Sequence, residues 1–119
     1  MIDQKTMFYI MDSLIEPVLF ADTKHITRYM NKAAIEYYDD GIKLLGTNLL
    51  DCHNQKSRQM MVEILAEMHK GLDEKIITDN KKYRIFMRAV RDGDGLLLGY
   101  YERYEPPQIK NMFSTADNE

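Results

Sequence analysis

The sequence predicts one α+β domain, built on a five-stranded antiparallel sheet with helices gathered on one face. Apolar residues recur at helical spacing near the N-terminus and again in the middle of the chain. Five short segments rich in β-branched and aromatic residues flank the middle helix, two before it and three after it. Tight turns join consecutive segments, which therefore pair antiparallel, and this order is typical of an α+β architecture.

The first elements are a helix and a pair of strands. A broad apolar stripe over residues 2–14 predicts the helix, which ends at Glu16-Pro17 because proline disfavours a helical residue before it. The segments PVLFAD and HITRYM then predict two short strands with a turn at residues 22–24. These strands begin the sheet.

The middle of the chain predicts two further helices separated by turns. Asn31 is a good N-cap for NKAAIEYY, and we expect Gly41 to end that helix. The segment KLLGTNLLDCHN predicts a set of short turns. A longer helix runs from residue 55 or 56 to residue 69, and Gly71 lies just past its end, the usual place for a left-handed cap.

Three strands complete the predicted sheet, in the segments EKIITD, KKYRIFMRAVRD and LLLGYYERYE. Residues 79–81 form one turn, and the Asp-Gly-Asp-Gly sequence of residues 92–95 predicts the other, since glycine adopts positive φ freely. We therefore divide the chain into an N-terminal flanking helix (1–15), a domain (16–107) and a polar tail (108–119).

Composition excludes several classes of protein. With 119 residues the chain is long enough for a single core, and its net charge of -3 argues against a nucleic-acid-binding surface. No apolar run approaches the roughly 20 residues that span a membrane, and acidic residues interrupt the N-terminal apolar stretch, unlike a signal peptide. A single cysteine forms no internal disulfide. We expect a cytoplasmic protein without nucleic-acid or membrane partners.

From residue 11 to residue 105 the sequence resembles a PAS domain. The resemblance lies in an ordered set of segments: EPVLFAD, ITRYMNKAAIEYY, LLGTNLLDC, the helix ending at Lys70-Gly71, and AVRDGDGLLLGYYERYE. The segment Cys-His-x-x-Lys-Ser, which begins at Cys52, also resembles a subgroup of PAS domains with Cys-His before the long helix. The resemblance implies the PAS fold.

Membership of this family implies sensing and signal coupling. PAS domains hold a small molecule, haem, flavin or nothing between the sheet and its helices, and they commonly dimerise through an N-terminal helix packed on the sheet. In longer proteins they pass a signal to a kinase, cyclase or DNA-binding domain. Because fold alone does not define function, the residues of the predicted pocket are considered separately.

The segment LLDCHNQKS contains the single cysteine beside a histidine, at residues 52 and 53. Light-oxygen-voltage flavoproteins place a reactive cysteine directly after Gly-x-Asn. Residues 46–48 match that frame, but Leu49 follows and Cys52 comes three positions later. A flavin–thiol photoadduct needs the sulfur against one ring carbon, so we expect no photoreceptor. Flavin binding without that chemistry stays open.

Haem is a second alternative for this segment. Haem-binding oxygen-sensor PAS kinases take their axial histidine from the long helix, at a position that falls at or near Met60 here. Methionine normally ligates haem iron opposite a histidine. His53 and Cys52 are therefore weak haem-ligand candidates, placed in the turn before the helix.

Other chemistry at the segment has less support in the sequence. A zinc site needs about four nitrogen or sulfur ligands, and Cys52 and the three histidines include no spaced pair. A catalytic cysteine needs a base and an orienting partner, which sequence neighbours on a turn do not supply. Cys52 is a redox-responsive thiol if it is exposed and if the helix N-terminus lowers its pKa.

The favoured interpretation of LLDCHNQKS is a helix entry beside the ligand pocket. In it Asp51 or Asn54 caps the long helix, Cys52 is a small buried hydrophobic residue, and His53 bonds a nearby backbone group. We predict a mixed aliphatic and sulfur-containing pocket, suited to a small apolar ligand or to none. Its predicted lining residues are Leu49, Cys52, His53, Met61, Ile64, Leu65 and Met87.

The last two predicted strands each have one face that meets the helices and one face rich in arginine and tyrosine. Arginine and tyrosine are enriched at protein interfaces, so this surface and the N-terminal helix predict a homodimer. No paired carboxylates, catalytic triad or phosphate-binding glycine loop stands out. We predict a non-enzymatic sensory module that binds a small ligand or a signalling partner protein. The alternatives are a haem or redox sensor using Cys52 and His53, or a ligand-free dimerisation module.

Overall fold

One five-stranded antiparallel sheet dominates the computed structural model, which describes residues 1–108, and the predicted α+β architecture is confirmed. Across the sheet the strand order is β2-β1-β5-β4-β3, so the last strand lies in the centre beside the first. The predicted tail from residue 109 onwards lies outside the described residues. The strands are β1 (Val18–Asp22), β2 (Thr27–Met30), β3 (Glu74–Asp79), β4 (Arg84–Arg91) and β5 (Leu97–Glu105).

Three α-helices and two 3-10 turns connect or precede the strands. The helices are α1 (Gln4–Ser13), α2 (Lys32–Tyr37) and α3 (Gln55–His69). Between α2 and α3 lie 3-10 turns at Gly41–Leu44 and Leu49–Cys52. No helix within residues 1–108 combines the length and the apolar character that a membrane span requires.

Most predicted element boundaries follow from short-range hydrogen bonds. The Asn31 side chain accepts a bond from the backbone N–H of Ala34 at 2.9 Å, as predicted for the N-cap of α2. Gly71 has φ of 114° directly after α3, in the left-handed region that favours glycine. The prediction that Gly41 ends α2 is wrong. The helix stops at Tyr37, and Gly41 begins the first 3-10 turn instead.

The core lies between one face of the sheet and the segment from α2 to α3. Side chains from β1, β2, β4 and β5 meet side chains from α2, the second 3-10 turn and α3. Tyr100 of β5 is completely buried in this layer. The buried members are Leu19, Ala21, Met30, Ala34, Leu49, Met61, Ile64, Leu65, Met68, Met87, Leu97 and Tyr100.

Helix α1 lies beside β2 and the start of α2. The Phe8 ring stacks on Tyr29 at 5.7 Å between centroids, and the Asp12 carboxylate accepts a bond from the backbone N–H of Lys32 at 2.8 Å. The Asn31 amide donates to the carbonyl oxygens of Met11 and Glu16. No side chain of α1 is fully buried, so much of its apolar surface faces outward.

The opposite face of the sheet is organised around Arg103. Its guanidinium donates to Glu74 at 2.8 Å and to Glu105 at 2.7 Å, and it lies 4.2 Å from the centre of the Phe86 ring. Arg84 also pairs with Glu105 at 3.1 Å. The arginines that the sequence placed on this face are therefore engaged within the sheet, and Phe86 is buried beneath them.

Candidate ligand-binding site

A cavity of about 400 Å³ lies between the sheet and the segment that connects α2 to α3. Strands β3, β4 and β5 form one side, and the end of α2, both 3-10 turns and the first half of α3 form the other. This volume falls at the lower end of the roughly 300–1,000 Å³ usual for small-molecule pockets. The apolar lining consists of Leu44, Leu49, Met60, Met61, Ile77 and Ile85.

Four of the seven predicted pocket residues line this cavity: Leu49, Cys52, His53 and Met61. The other three, Ile64, Leu65 and Met87, pack in the core cluster and are absent from the cavity wall. The cavity-lining residues of α3 (Ser57, Met60 and Met61) lie in its first half, whereas the buried residues of its second half (Ile64, Leu65 and Met68) pack in the filled core. All of these residues lie on the buried face of α3, and the cavity extends only along the first half of that face.

Cys52 differs from both expectations that we formed for it. It is exposed and not a buried hydrophobic residue. Partial burial and the nearby carboxylates of Asp51, Asp40 and Glu102 raise the pKa of the Cys52 thiol. A redox-responsive cysteine needs a lowered thiol pKa, whereas the pKa of Cys52 is raised.

Asn54, and not Asp51, caps α3. The Asn54 side chain accepts a hydrogen bond from the backbone N–H of Ser57 at 2.9 Å. The backbone N–H of His53 donates to the Leu50 carbonyl oxygen at 3.2 Å, which is the predicted bond to a nearby backbone group. None of the hydrogen bonds found within residues 1–108 reaches the His53 ring. Burial lowers the pKa of His53, which leaves a neutral imidazole at the cavity wall.

Glu102 is the buried acid of the site. Its side chain projects from β5 between Leu19 of β1 and Met87 of β4, and it is only 5% exposed. The side-chain hydrogen bonds and ion pairs of residues 1–108 include none to its carboxylate, which borders the cavity. Burial raises the pKa of Glu102 to about 7, because an apolar environment disfavours the ionised form.

Two tyrosines stand beside this acid. The hydroxyl groups of Tyr38, just after α2, and Tyr104, near the end of β5, lie 3.0 Å apart in a hydrogen bond. Burial raises the pKa of both phenols, and the Glu102 carboxylate adds to the effect. Tyr37 packs edge-on against both rings but is half exposed and does not line the cavity. The polar wall is therefore an uncharged phenol pair next to a buried carboxyl group.

Charge in the lining is entirely acidic. Asp39 and Asp40 are exposed at the cavity's edge and Glu102 is buried inside it, whereas no lysine or arginine is among the lining residues within 1–108. We had predicted an aliphatic and sulfur-containing lining, so the acidic character is a new feature. The alternation of Tyr100, Glu102 and Tyr104 along β5 was the signal that could have placed Glu102 on the helix-facing side.

The metal candidates are dispersed. His25 lies in the β1–β2 turn, where its Nδ1 atom is 2.8 Å from the Tyr100 hydroxyl. His69 is the last residue of α3, and Cys52 and His53 stand at the cavity. Within the described part of the chain, no three histidine, cysteine, aspartate or glutamate side chains come together in a metal-binding group.

Comparison with known proteins identifies the family. A PAS domain model matches residues 7–105, most of the chain. The chain therefore belongs to the PAS domain family, whose members are generally sensory and non-catalytic modules. The subgroup with the Cys-His-x-x-Lys-Ser segment stays a prediction. No curated protein sequence matches the chain.

Solved structures show the same fold at low sequence identity. A C-terminal domain from Streptococcus mutans is 19% identical with a TM-score of 0.75, over 88% of this chain and 85% of that one. The Aer2 receptor from Vibrio cholerae, a dual PAS-haem oxygen sensor, is 16% identical with a TM-score of 0.56, over 76% and 92%. The PAS domain of BvgS from Bordetella pertussis is 13% identical with a TM-score of 0.54, over 87% and 85%. At these identities the likeness shows the shared fold.

Proposed function

We propose that this PAS domain senses a small molecule bound in the cavity between β3–β5 and the first half of α3. The observation that supports the proposal is the cavity itself. The second half of α3 packs on a filled core, whereas the first half borders about 400 Å³ of unfilled space. Well-packed interiors contain few voids larger than a water molecule. A space of this size lined by both apolar and polar side chains has the character of a binding pocket.

A cavity-filling variant tests this function. Ser57 lines the cavity from the first turn of α3, where its side chain makes no hydrogen bond among the described residues. Ser57→Leu adds side-chain volume that reduces the space in the cavity, and it improves helix propensity. We expect compounds that raise the melting temperature of the wild type in a thermal-shift screen to lose that effect in Ser57→Leu. The matched control is Arg58→Leu, at the next position, which is exposed and outside this cavity. Hits that stabilise Ser57→Leu as strongly as wild type would contradict the proposal.

Signalling through a homodimer is the second part of the proposal. Helix α1 exposes Met7, Tyr9 and Ile10, and Ile15 just beyond its end is almost fully exposed. An apolar surface of this kind is unusual on a monomer and is typical of a subunit interface. We expect light scattering to give the mass of a dimer for the wild type and of a monomer for Ile10→Asp. Lys5→Asp, on the same helix, is the control and should remain dimeric.

Helix α2 connects the cavity to α1. At its start, buried Asn31 donates to carbonyl oxygens of α1 and of the following linker, at Met11 and Glu16. At its end, Tyr38 lines the cavity. A ligand that moves Tyr38 would therefore act on the helix that holds α1. We expect Asn31→Asp, which loses the two donated bonds, to retain ligand binding but to lose any ligand-dependent change in dimerisation. An unchanged response would contradict this route.

Haem does not fit the residues of the cavity. His53 and Cys52 stand in the wall, and one similar structure is that of a haem oxygen sensor, which is why haem deserves the test. Haem has two anionic propionates, however, and the lining offers three acidic side chains and no lysine or arginine among residues 1–108. A flavin phosphate meets the same lack of a cationic partner. The charge of the cavity favours a different class of ligand.

A further inference from the structure

The buried acid Glu102 has the position of a ligand-binding group. Its neighbours across the sheet, Leu19 and Met87, are buried and apolar, so neither supplies a hydrogen-bond donor. Within residues 1–108 no side-chain hydrogen bond or ion pair involves its carboxylate, which borders the cavity. A buried carboxylate is normally paired because losing its water is costly. Within residues 1–108, therefore, only the contents of the cavity can supply a partner for the ionised form of Glu102.

The charges around the cavity define what that partner can be. Asp39 and Asp40 stand at the edge, and the lining includes no basic side chain among the described residues. His53 is neutral because burial lowers its pKa, and Cys52 stays protonated because burial and carboxylates raise its pKa. An anionic ligand would meet repulsion without compensation. A cation would be attracted from solution by the outer acids and paired by the inner one.

The aromatic wall supports the same sign of charge. Tyr38 and Tyr104 line the cavity beside Glu102, with their hydroxyls bonded to each other. Aromatic rings attract cations through their quadrupole, and aromatic walls are a frequent feature of ammonium-binding sites. The remaining wall is aliphatic and thioether, from Leu49 and Met61 among others. This combination suits a molecule with one cationic end and an apolar body.

We propose that the cavity binds a small primary or secondary amine, with its ammonium group against the carboxylate of Glu102 and its apolar body against Leu49, Met60 and Met61. The inference rests on the proposed ligand-binding function and names the chemical class of that ligand. It also gives the buried acid a role: the ammonium group supplies the hydrogen-bond donors that the protein does not.

Matched probes test the class directly. Benzylamine, benzyl alcohol and benzoate share one ring and differ in their charged or polar group. Titration calorimetry at about pH 8 compares them on the full chain, since an alkylamine keeps its proton there. We expect benzylamine to bind about tenfold or more tightly than benzyl alcohol, and benzoate to bind more weakly than either. Butylamine, butanol and butyrate repeat the comparison without the ring.

Two variants separate charge recognition from folding. Glu102→Gln keeps the side-chain shape and removes the charge. We expect it to weaken the binding of benzylamine by about tenfold and to leave the binding of benzyl alcohol unchanged. Glu67→Gln removes one acid from the exposed side of α3, outside the cavity, and should change neither affinity. The melting temperature of each variant confirms that it is folded.

The outcomes distinguish this inference from the proposed function. Equal binding of alcohol and amine, tighter binding of benzoate, or undiminished amine binding by Glu102→Gln would overturn the amine class while the cavity remained a binding site. If no probe binds and Ser57→Leu changes no thermal-shift hit, the ligand-binding function fails and this inference fails with it. A loss of amine binding in Glu67→Gln as large as in Glu102→Gln would also overturn it, since net charge would then explain the effect.

Discussion

Tyr100 and Glu102 occupy successive inward positions on β5, but only the polar group of Tyr100 has a hydrogen-bond partner within residues 1–108. The Tyr100 hydroxyl lies 2.8 Å from Nδ1 of buried His25, and its ring is enclosed by the core. Two residues further along the strand, Glu102 is only 5% exposed, and no side-chain hydrogen bond or ion pair within residues 1–108 involves its carboxylate. At one end of the helix-covered face the core is filled and the Tyr100 hydroxyl has a partner, whereas at the other a cavity borders a carboxyl group without one.

The difference separates groups that stabilise the fold from groups available to a ligand. A buried polar group with a partner contributes to stability, and removing that partner is costly. A buried acid without a partner lowers stability, and such groups cluster at functional sites. The two positions share one strand and one face, so each is a control for the other.

The largest effect is expected at the filled end. Tyr100→Ala removes a fully buried ring and should destabilise the domain by roughly 3–5 kcal/mol, because the surrounding core cannot close the space. Urea unfolding at about pH 8 measures the change. Ile85→Ala, at the cavity wall, removes a side chain that already borders empty space and should cost clearly less. Equal losses at the two positions would remove the distinction between the two ends.

Glu102→Gln should change the free energy of unfolding in the opposite direction and stabilise the domain. Burial raises the pKa of Glu102 from 4.5 to about 7, so the folded state binds more protons than the unfolded state between those pH values. Stability therefore falls as the pH rises from about 4.5 to 7 and stays reduced above it. At about pH 8 we expect the variant to be more stable than wild type by roughly 1–3 kcal/mol, and at about pH 4 to lose this advantage.

Unfolding measured across this pH range gives the result, with Glu67→Gln as the control for net charge. If Glu102→Gln destabilised the domain at about pH 8, the carboxylate would have a stabilising partner, and the contrast with Tyr100 would disappear.

Removal of single hydroxyl groups gives a smaller and more specific comparison. Tyr100→Phe leaves buried His25 without its partner and should cost roughly 1–3 kcal/mol. Tyr104→Phe breaks the bond to Tyr38 at the cavity, where water can replace the lost partner, and should cost less than about 1 kcal/mol. Both are measured by urea unfolding at about pH 8. A larger loss in Tyr104→Phe would show that the phenol pair, rather than the His25 contact, stabilises the sheet.

The smallest effect is expected from haemin. Because the cavity is acidic and lacks a basic side chain among the described residues, added haemin should give only the broad absorption band of loosely associated haem. The spectrum of His53→Ala should be the same. A sharp Soret band in wild type that shifts or disappears in His53→Ala would instead indicate a haem sensor ligated from the turn before α3.

Local chemistry made much of the fold predictable. The caps at Asn31 and Gly71 and the turn at residues 92–95 depend on neighbours within a few residues, so their sequence signals were sufficient. The prediction that Gly41 ends α2 was wrong because glycine favours several turn geometries. Here it begins a 3-10 turn after α2 has already ended. The site was less accessible to this reasoning: Cys52 was expected to be buried, but its exposure depends on how the second 3-10 turn meets the rest of the chain.

The sequence by itself determined the PAS fold and the order of its helices and strands, since periodicity and turn chemistry act over short distances. Only the tertiary structure decided that the Tyr100 hydroxyl bonds His25, 75 positions earlier in the chain, while no side-chain hydrogen bond or ion pair within residues 1–108 involves Glu102. It also decided where the core stops along α3 and the cavity begins. Packing depends on side chains brought together from distant positions, and no local pattern encodes the space that they leave.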